Sequence, residues 1–235
     1  MEELYLEDCY LREFDAVVEC VIDDRYVVLD RTAFYPEAGG QPCDTGSLCC
    51  AGKEYPVISV KKADGKVRHE IEISGLKEGN EVRGKINWDR RYLLMRYHTA
   101  CHILSAIIHN ETGAKISGNQ LSEDKTRVDF SLDEFDREQL KAYEAKVNDI
   151  IDKNIPVTIE KIEREEAFKI PSIVKLKDAF PPEVHFIRVI NIAGIDRQAC
   201  GGTHVANTGE IPHIDIFKAE NKGKSNRRVY FRFKK

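Results

Sequence analysis

WDRRYLLMRYHTACHIL, residues 88–104, is where the chain changes its period. Tyr97, Cys101, Leu104 and Ile108 stand at i, i+4, i+7 and i+11, one apolar stripe of an α-helix reaching to about residue 110. Upstream of Trp88 the pattern is that of strands. Residues 16–21 and 25–29 are short β-rich runs separated by Asp23-Asp24, a hairpin signal. Residues 55–62 and 67–73 flank Ala63-Asp64-Gly65-Lys66, a second hairpin signal. Residues 81–86 alternate again, and Gly39-Gly40 marks a break. Many short strands joined by tight turns predict a small barrel or sandwich.

Downstream, a second helix is signalled over residues 136–153, with Leu140, Tyr143, Val147, Ile150 and Ile151 as its buried stripe. Ser131 and Glu134 are spaced for a capping box near its entry. A short helix is expected over residues 164–169, stopped by Pro171, and residues 184–192 and 228–233 read as strands. The predicted fold is α+β: a small N-terminal β-barrel over residues 1–87, followed by an α+β module over residues 88–235.

The 235 residues suffice for one large domain or two modest ones. With 36 Lys+Arg against 40 Asp+Glu the net charge is −4, which excludes a globally basic nucleic-acid coat but not a local basic patch. No window approaches 18 uninterrupted apolar residues, so no membrane span is expected. The acidic start MEELYLEDCY lacks an apolar core, so no secretory signal is expected either. Seven cysteines without a small-scaffold spacing fit reduced thiols and a cytoplasmic location. No stable protein partner is predicted.

Two short segments carry chemistry. His98 and His102 are four apart on the predicted helix, which sets both imidazoles on one face where one ion can take both. His109, seven residues further, lies about 10 Å along the axis and is too far to share that ion. In Cys200-Gly201-Gly202-Thr203-His204 the cysteine and histidine are again four apart, but two glycines favour a tight loop over a helix. Thiolate and imidazole ligands suit tetrahedral zinc. Each half also has an ordinary reading, as a core or surface pair. The gap between His98 and His102 holds Thr99, Ala100 and Cys101, so the metalloprotease HExxH carboxylate is missing.

WDRRYLLMRYHTACHIL resembles the editing domain of alanyl-tRNA synthetases, and CGGTHVANTGEI, residues 200–211, resembles the second zinc half-motif of that domain. LDRTAFYPEAGGQPCDTG, residues 29–46, is similar to the glycine-rich N-terminal signature shared with free-standing proteins of the AlaX type. The order and extent of the likeness identify the chain as a member of the free-standing alanyl-tRNA editing family, medium form, with no room for an aminoacylation domain. Where the family often has three glycines, this chain has Ala38-Gly39-Gly40 followed by Gln41, and Ala38 would strain the loop if that position needs positive φ.

The resemblance implies zinc held by His98, His102, Cys200 and His204 as the catalytic centre. It also implies hydrolysis of the ester joining a wrong amino acid, serine or glycine, to tRNA(Ala). Gly39, Gly40 and Gln41 then help select the aminoacyl group or seat the tRNA end. With no Ser-His-Asp nucleophile in view, direct attack by water is the simplest route. Four protein ligands, however, close a tetrahedral site, as in structural zinc centres. The metal therefore either opens a position or chiefly organises the pocket. A site that bonds the serine hydroxyl rejects alanine by leaving its polar partners unpaired. Ser117, Asn119 and Gln120, with Thr99, are the candidate partners. Arg127 and Asp129, in a segment TRVDF that resembles a family strand, are expected to pair with each other, and Asp196 either orients a ligand from behind or begins a turn.

RNA contact is expected from the basic tail, residues 221–235, through Lys222, Lys224, Arg227 and Arg228 in a loop made pliable by Gly223. Lys61, Lys62, Lys66 and Arg68 form a second basic candidate. Alternatives from the sequence are a zinc-stabilised RNA-binding module without catalysis, a zinc hydrolase of small esters or peptides, and editing of a threonyl synthetase-type error.

Overall fold

The computed structural model describes residues 1–134, 136–174 and 184–234. By contact the chain divides into two compact units, Met1–Met95 with Leu121–Glu123, and Arg96–Gln120 with Asp124–Lys235. The division falls inside the long helix that begins at Trp88.

The first unit contains β1 (Glu2–Glu3), β2 (Glu13–Ile22), β3 (Tyr26–Leu29), β4 (Arg31–Thr32), β5 (Gly46–Cys50), β6 (Lys53–Ala63), β7 (Lys66–Ile71) and β8 (Glu81–Ile86). Six of them close into a barrel in the order β2-β3-β7-β6-β5-β8. The residues dictate this through their alternation. Phe14, Ala16 and Val18 of β2 are buried while Glu13, Asp15 and Val17 between them are exposed. Leu29, Phe34, Leu48, Val57, Val60 and Ile71 join them in the barrel interior. Both predicted hairpins form. Asp23 and Asp24 have φ of 52° and 54°, and Asp64 and Gly65 have 51° and 72°, two left-handed residues per turn, whose twist matches the flanking strands.

The glycine-rich segment is a turn of the same kind. Ala38 and Gln41 pair across it; Gln41 N–H donates to Ala38 O at 2.9 Å and Ala38 N–H to Gln41 O at 3.2 Å. Gly39 and Gly40 take the left-handed positions, with φ of 57° and 81°. Ala38 sits outside them at negative φ, so the strain anticipated for an alanine here does not arise.

The first turns of α1 (Trp88–Thr112) belong to this unit. Arg91 and Asp44 are both fully buried and form an ion pair. Arg91 Nε donates to both Asp44 oxygens at 3.0 Å, Nη1 donates to Cys9 O at 2.9 Å and Nη2 to Ala33 O at 2.5 Å. Asp44 also accepts from Tyr35 N–H at 2.6 Å. The guanidinium is thus satisfied on every edge, the condition under which a buried pair holds; removing one partner of such a pair costs about 3–5 kcal/mol.

In the second unit, β9 (Ile116–Leu121) and β10 (Thr126–Phe130) precede α2 (Arg137–Asp152). Then come β11 (Val157–Glu163), the short α3 (Arg164–Ala167) and α4 (Pro171–Val174), β12 (Phe186–Ile192), β13 (Asp196–Ala199), β14 (Ile214–Asn221) and β15 (Arg227–Phe233). One sheet runs β14-β15-β10-β9, the other β11-β12-β13. Val229 and Phe231 of β15 are buried, and Tyr97 of α1 stacks on Phe233 with ring centres 4.0 Å apart. Buried Asn148 of α2 clasps the edge strand β14, donating to Ile214 O at 3.1 Å and accepting from Ile214 N–H at 2.8 Å.

Three local expectations are corrected. The capping box of α2 is Asp136 with Gln139, not Ser131 with Glu134, because Ser131 Oγ is taken by Lys115 N–H. Pro171 opens α4 instead of stopping α3, which ends at Ala167; proline's fixed φ suits a first helical turn. Arg227 and Arg228 begin β15 and do not lie in the loop before it. No helix among the described residues is long and apolar enough to cross a membrane.

His69 gives the barrel a pH dependence. It is fully buried; Nδ1–H donates to Val27 O at 2.9 Å and Nε2 lies 2.8 Å from Thr32 Oγ1, which itself accepts from Phe34 N–H. That network suits the neutral ring, with the threonine hydroxyl donating to Nε2. Burial pushes the His69 pKa from 6.5 down to about 4, against the pull of the Val27 carbonyl. As pH falls the unfolded chain therefore takes up the proton first. Stability from this group is full above about pH 6.5 and should fall by on the order of 3 kcal/mol as pH approaches 4. Urea titrations at pH 7 and 4.5 should show the decline, and H69Q should flatten it; an unchanged pH slope in H69Q would assign the effect elsewhere.

Candidate metal centre

Four side chains from two distant segments converge in the second unit. Helix α1 places His98 and His102 one turn apart on one face, with ring centres 5.2 Å apart. The loop after β13 brings His204 to 4.4 Å from the His98 ring and 4.7 Å from the His102 ring. Cys200 Sγ lies 3.6 Å from His98 Nε2 and 3.4 Å from His204 Nε2. One ligand atom from each of the four lies within 4.8 Å of the others. His98 and His204 are buried, whereas His102 and Cys200 are half-buried, so the cluster has a covered side and an accessible one.

The surroundings hold three of the four, His102, His204 and Cys200, by further hydrogen bonds. His102 Nδ1–H donates to Asp196 Oδ2 at 2.8 Å, which turns Nε2 toward the cluster. Asp196 is itself held, accepting from Gln198 Nε2 at 3.0 Å on its other oxygen. His204 Nδ1 lies 3.1 Å from Thr99 Oγ1, and that hydroxyl also accepts from Val205 N–H at 3.3 Å. Gly202 N–H donates to Cys200 Sγ at 3.4 Å, an approach that the glycine loop leaves open.

Electrostatics favour the ligand form of the thiol. Burial alone raises the Cys200 pKa, but the charges of His98 and His204, with hydrogen bonds from His102 and His204, bring it well below the usual thiol value. Burial lowers His102, yet Asp196 and Cys200 outweigh it and push its pKa up to about 10. His204 is driven well below the usual histidine value by burial and by the neighbouring charge of His98. A cation in this cluster would meet a thiolate, and would displace the proton that Asp196 and Cys200 hold on His102.

The other candidate residues fall into separate places. Thr99 is fully buried and engaged with the His204 ring and the Val205 N–H. Asn119 bonds the buried Cys101 thiol, next to His102 in α1. Ser117 is exposed, with a long 3.4 Å contact to Asn226. Gln120 accepts from Arg127 Nε at 3.1 Å, on the sheet face opposite Asn119. Gly39, Gly40 and fully buried Gln41 belong to the barrel unit.

In the tail, Arg228 forms a two-pronged bond to Asp129, at 2.6 and 2.8 Å, and Arg127 stands 3.8 Å from the same carboxylate. Arg227 is spent closing the hairpin, donating to Asn221 Oδ1 and to Gly223 O. Lys222 pairs with Glu220 at 2.9 Å, Lys224 is exposed, and Lys235 lies outside the described residues. Of the second basic candidate, Lys62 pairs with Glu3 at 2.5 Å and Arg68 with Asp64 at 2.5 Å.

Gln198 went unnoticed in the sequence. Its signal was the i, i+2 spacing to Asp196 in a strand, which sets both side chains on one face. D196N should leave the fold intact but loosen the hold on His102, lowering metal affinity about 10- to 100-fold in chelator competition. Unchanged affinity would make Asp196 a bystander.

Comparison with known proteins agrees with this arrangement. Residues 187–230 match the family model described as threonyl and alanyl tRNA synthetase second additional domain, and residues 10–90 match tRNA synthetases class II (A). The chain is 53% identical to the alanyl-tRNA editing protein AlaX-M of Methanosarcina acetivorans, with 98% of each chain covered. It is 44% identical to AlaX-M of Saccharolobus solfataricus, with 99% of each covered. It is also 40% identical to an alanine–tRNA ligase of Pyrococcus abyssi, matching 97% of this chain but 25% of that enzyme. Full-length identity at this level means that the chain belongs to the AlaX-M family of alanyl-tRNA editing proteins.

Proposed function

We propose that this protein is a trans-editing hydrolase that removes serine, and with it glycine, from mischarged tRNA(Ala) at a zinc centre held by His98, His102, Cys200 and His204. Family membership supports an aminoacyl-tRNA hydrolase. One geometric observation carries the zinc reading. Ligands about 2.3 and 2.0 Å from a common tetrahedral zinc stand roughly 3.5 Å apart, against 3.4 and 3.6 Å from Cys200 Sγ to the two imidazole nitrogens.

Residues 88–235 would carry the reaction; in the barrel unit the Gly39-Gly40 turn is open to a ligand, whereas the Gln41 side chain is fully buried and serves the turn itself. When bound, zinc supplies a fixed positive charge that favours the substrate's polar groups and the negative charge developing on the ester oxygen. The chain's own part is positioning. Asp196 and Gln198 fix the His102 ring, Thr99 fixes His204, and Gly202 N–H steadies the thiolate. No side chain need attack, because an aminoacyl ester is labile and a held water suffices.

Asn119, beside Cys101, is the hydroxyl partner that the geometry supports best. Ser117 is a weaker choice on its exposed end of the strand, and Gln120 and Thr99 are held by Arg127 and by His204 with Val205, whereas Asn119 has only the weak thiol of Cys101 as a partner among the described residues. The four-ligand set favours one other reading, in which a closed zinc organises an RNA-binding pocket without catalysis.

A deacylation panel separates the two. Ser-tRNA(Ala) should be hydrolysed roughly a hundredfold or more faster than Ala-tRNA(Ala), and N119A should narrow that gap. Desalted protein should hold about one zinc per chain, lost in H102A and in C200A. Equal rates on seryl and alanyl esters would end the editing reading, and zinc without any hydrolysis would establish the non-catalytic one.

A further inference from the structure

A groove of about 620 Å³ runs between α2 and the edge strand β14 in the second unit. Arg137 and Lys141 line it from the helix, one turn apart and exposed. Phe217 and Lys218 line it from the strand. Phe217 is the extra residue of a bulge between Ile216 and Lys218 and is 40% exposed, with the Arg232 guanidinium 4.9 Å from its ring centre.

The charge of this groove is not balanced from within. Its carboxylate, Glu144, is already neutralised by Lys234 at 2.9 Å and accepts from Ile216 N–H at 2.8 Å. Arg137 and Lys141 form no ion pair with a described residue. Arg137 is moreover the first residue of α2, where the helix dipole disfavours a cation. Asp136 at the N-cap and Glu138 in the first turn answer the dipole, but neither forms an ion pair with Arg137, so two neighbouring cations and an exposed ring face the groove ready for an external anion. Further along the strand Glu220 pairs with both Lys218, at 2.5 Å, and Lys222, at 2.9 Å, so the excess positive charge is that of Arg137 and Lys141 at the groove itself.

We propose that this groove seats the sugar–phosphate backbone of the tRNA, with Arg137 and Lys141 contacting phosphates and Phe217 offering a stacking surface. The proposal rests on the editing reading for the identity of the RNA, and it moves the main RNA contact from the Arg227–Arg228 pair, which the hairpin and Asp129 occupy. Phosphate contacts release counterions, so each adds close to one unit to the salt slope of binding. Bases stack on aromatic rings without regard to sequence, which suits a contact away from the aminoacyl end.

The test is binding of uncharged tRNA(Ala) across a salt series, alongside deacylation of Ser-tRNA(Ala). The double reversal R137E/K141E should weaken binding about tenfold or more and flatten the log–log salt slope by roughly one to two units. Its deacylation loss should sit in KM. F217A should weaken binding about fivefold with the slope unchanged, since it removes no charge. The matched double reversal K77E/K85E on the barrel should leave both binding quantities unaltered. Unchanged affinity and slope in R137E/K141E would overturn the proposal. So would self-association of the parent chain that R137E/K141E abolishes while tRNA affinity stays the same, which would give the groove to a second copy. A parent protein that binds tRNA through this groove but deacylates nothing would sink the editing reaction and leave the docking surface standing.

Discussion

The site depends on one closure. A helix turn carrying His98 and His102 must meet a loop carrying Cys200 and His204, about a hundred residues further along the chain. Bringing a thiol and three imidazoles together under partial burial is unfavourable unless their charges are organised. The fold does this from outside the cluster. Asp196 takes the proton-bearing side of His102, Thr99 takes the far side of His204, and Gly202 lends an N–H to the sulfur.

The helix that supplies half of the cluster is itself rooted in the barrel unit. Arg91 lies less than two turns before His98 and is pinned on all edges by Asp44, Cys9 and Ala33. Such a pair contributes modestly to net stability, because desolvation offsets much of its attraction. Its value is directional, for a guanidinium fork accepts few orientations. Arg91 in the motif Trp88-Asp89-Arg90-Arg91 thus has a structural role within the barrel unit.

Elements with a local physical cause were legible in the sequence. The Asp23-Asp24 and Asp64-Gly65 turns announce left-handed residues, so both hairpins and the strands beside them were readable, as was the 3.6-residue stripe of α1. The two ligand pairs were readable for the same reason, because i, i+4 spacing is local. What escaped depends on partners far along the chain. The basic tail looked like a free polyanion site, but Arg228 finds Asp129, 99 residues away, across two neighbouring strands. The cap of α2 was misplaced because Ser131 is claimed by Lys115 from another segment. Ala38 looked strained only while the turn's register was unknown; once Ala38 and Gln41 pair, the left-handed residues are the two glycines.

Serine and glycine make different physical demands on a pocket that must spare alanine. Serine exceeds alanine by a hydroxyl, and a half-buried amide such as that of Asn119 rewards it while leaving alanine with an unmet partner. Glycine has no group to reward. It is smaller than alanine, and a pocket that admits alanine admits glycine as well, so size alone separates them by little; one methyl group is worth about 1 kcal/mol in an apolar site. On the proposed reading the hydroxyl test therefore protects correct Ala-tRNA from loss to the serine-clearing activity. Glycine clearance has to come from reactivity: its ester must be held no better than alanine's yet reach the water more readily.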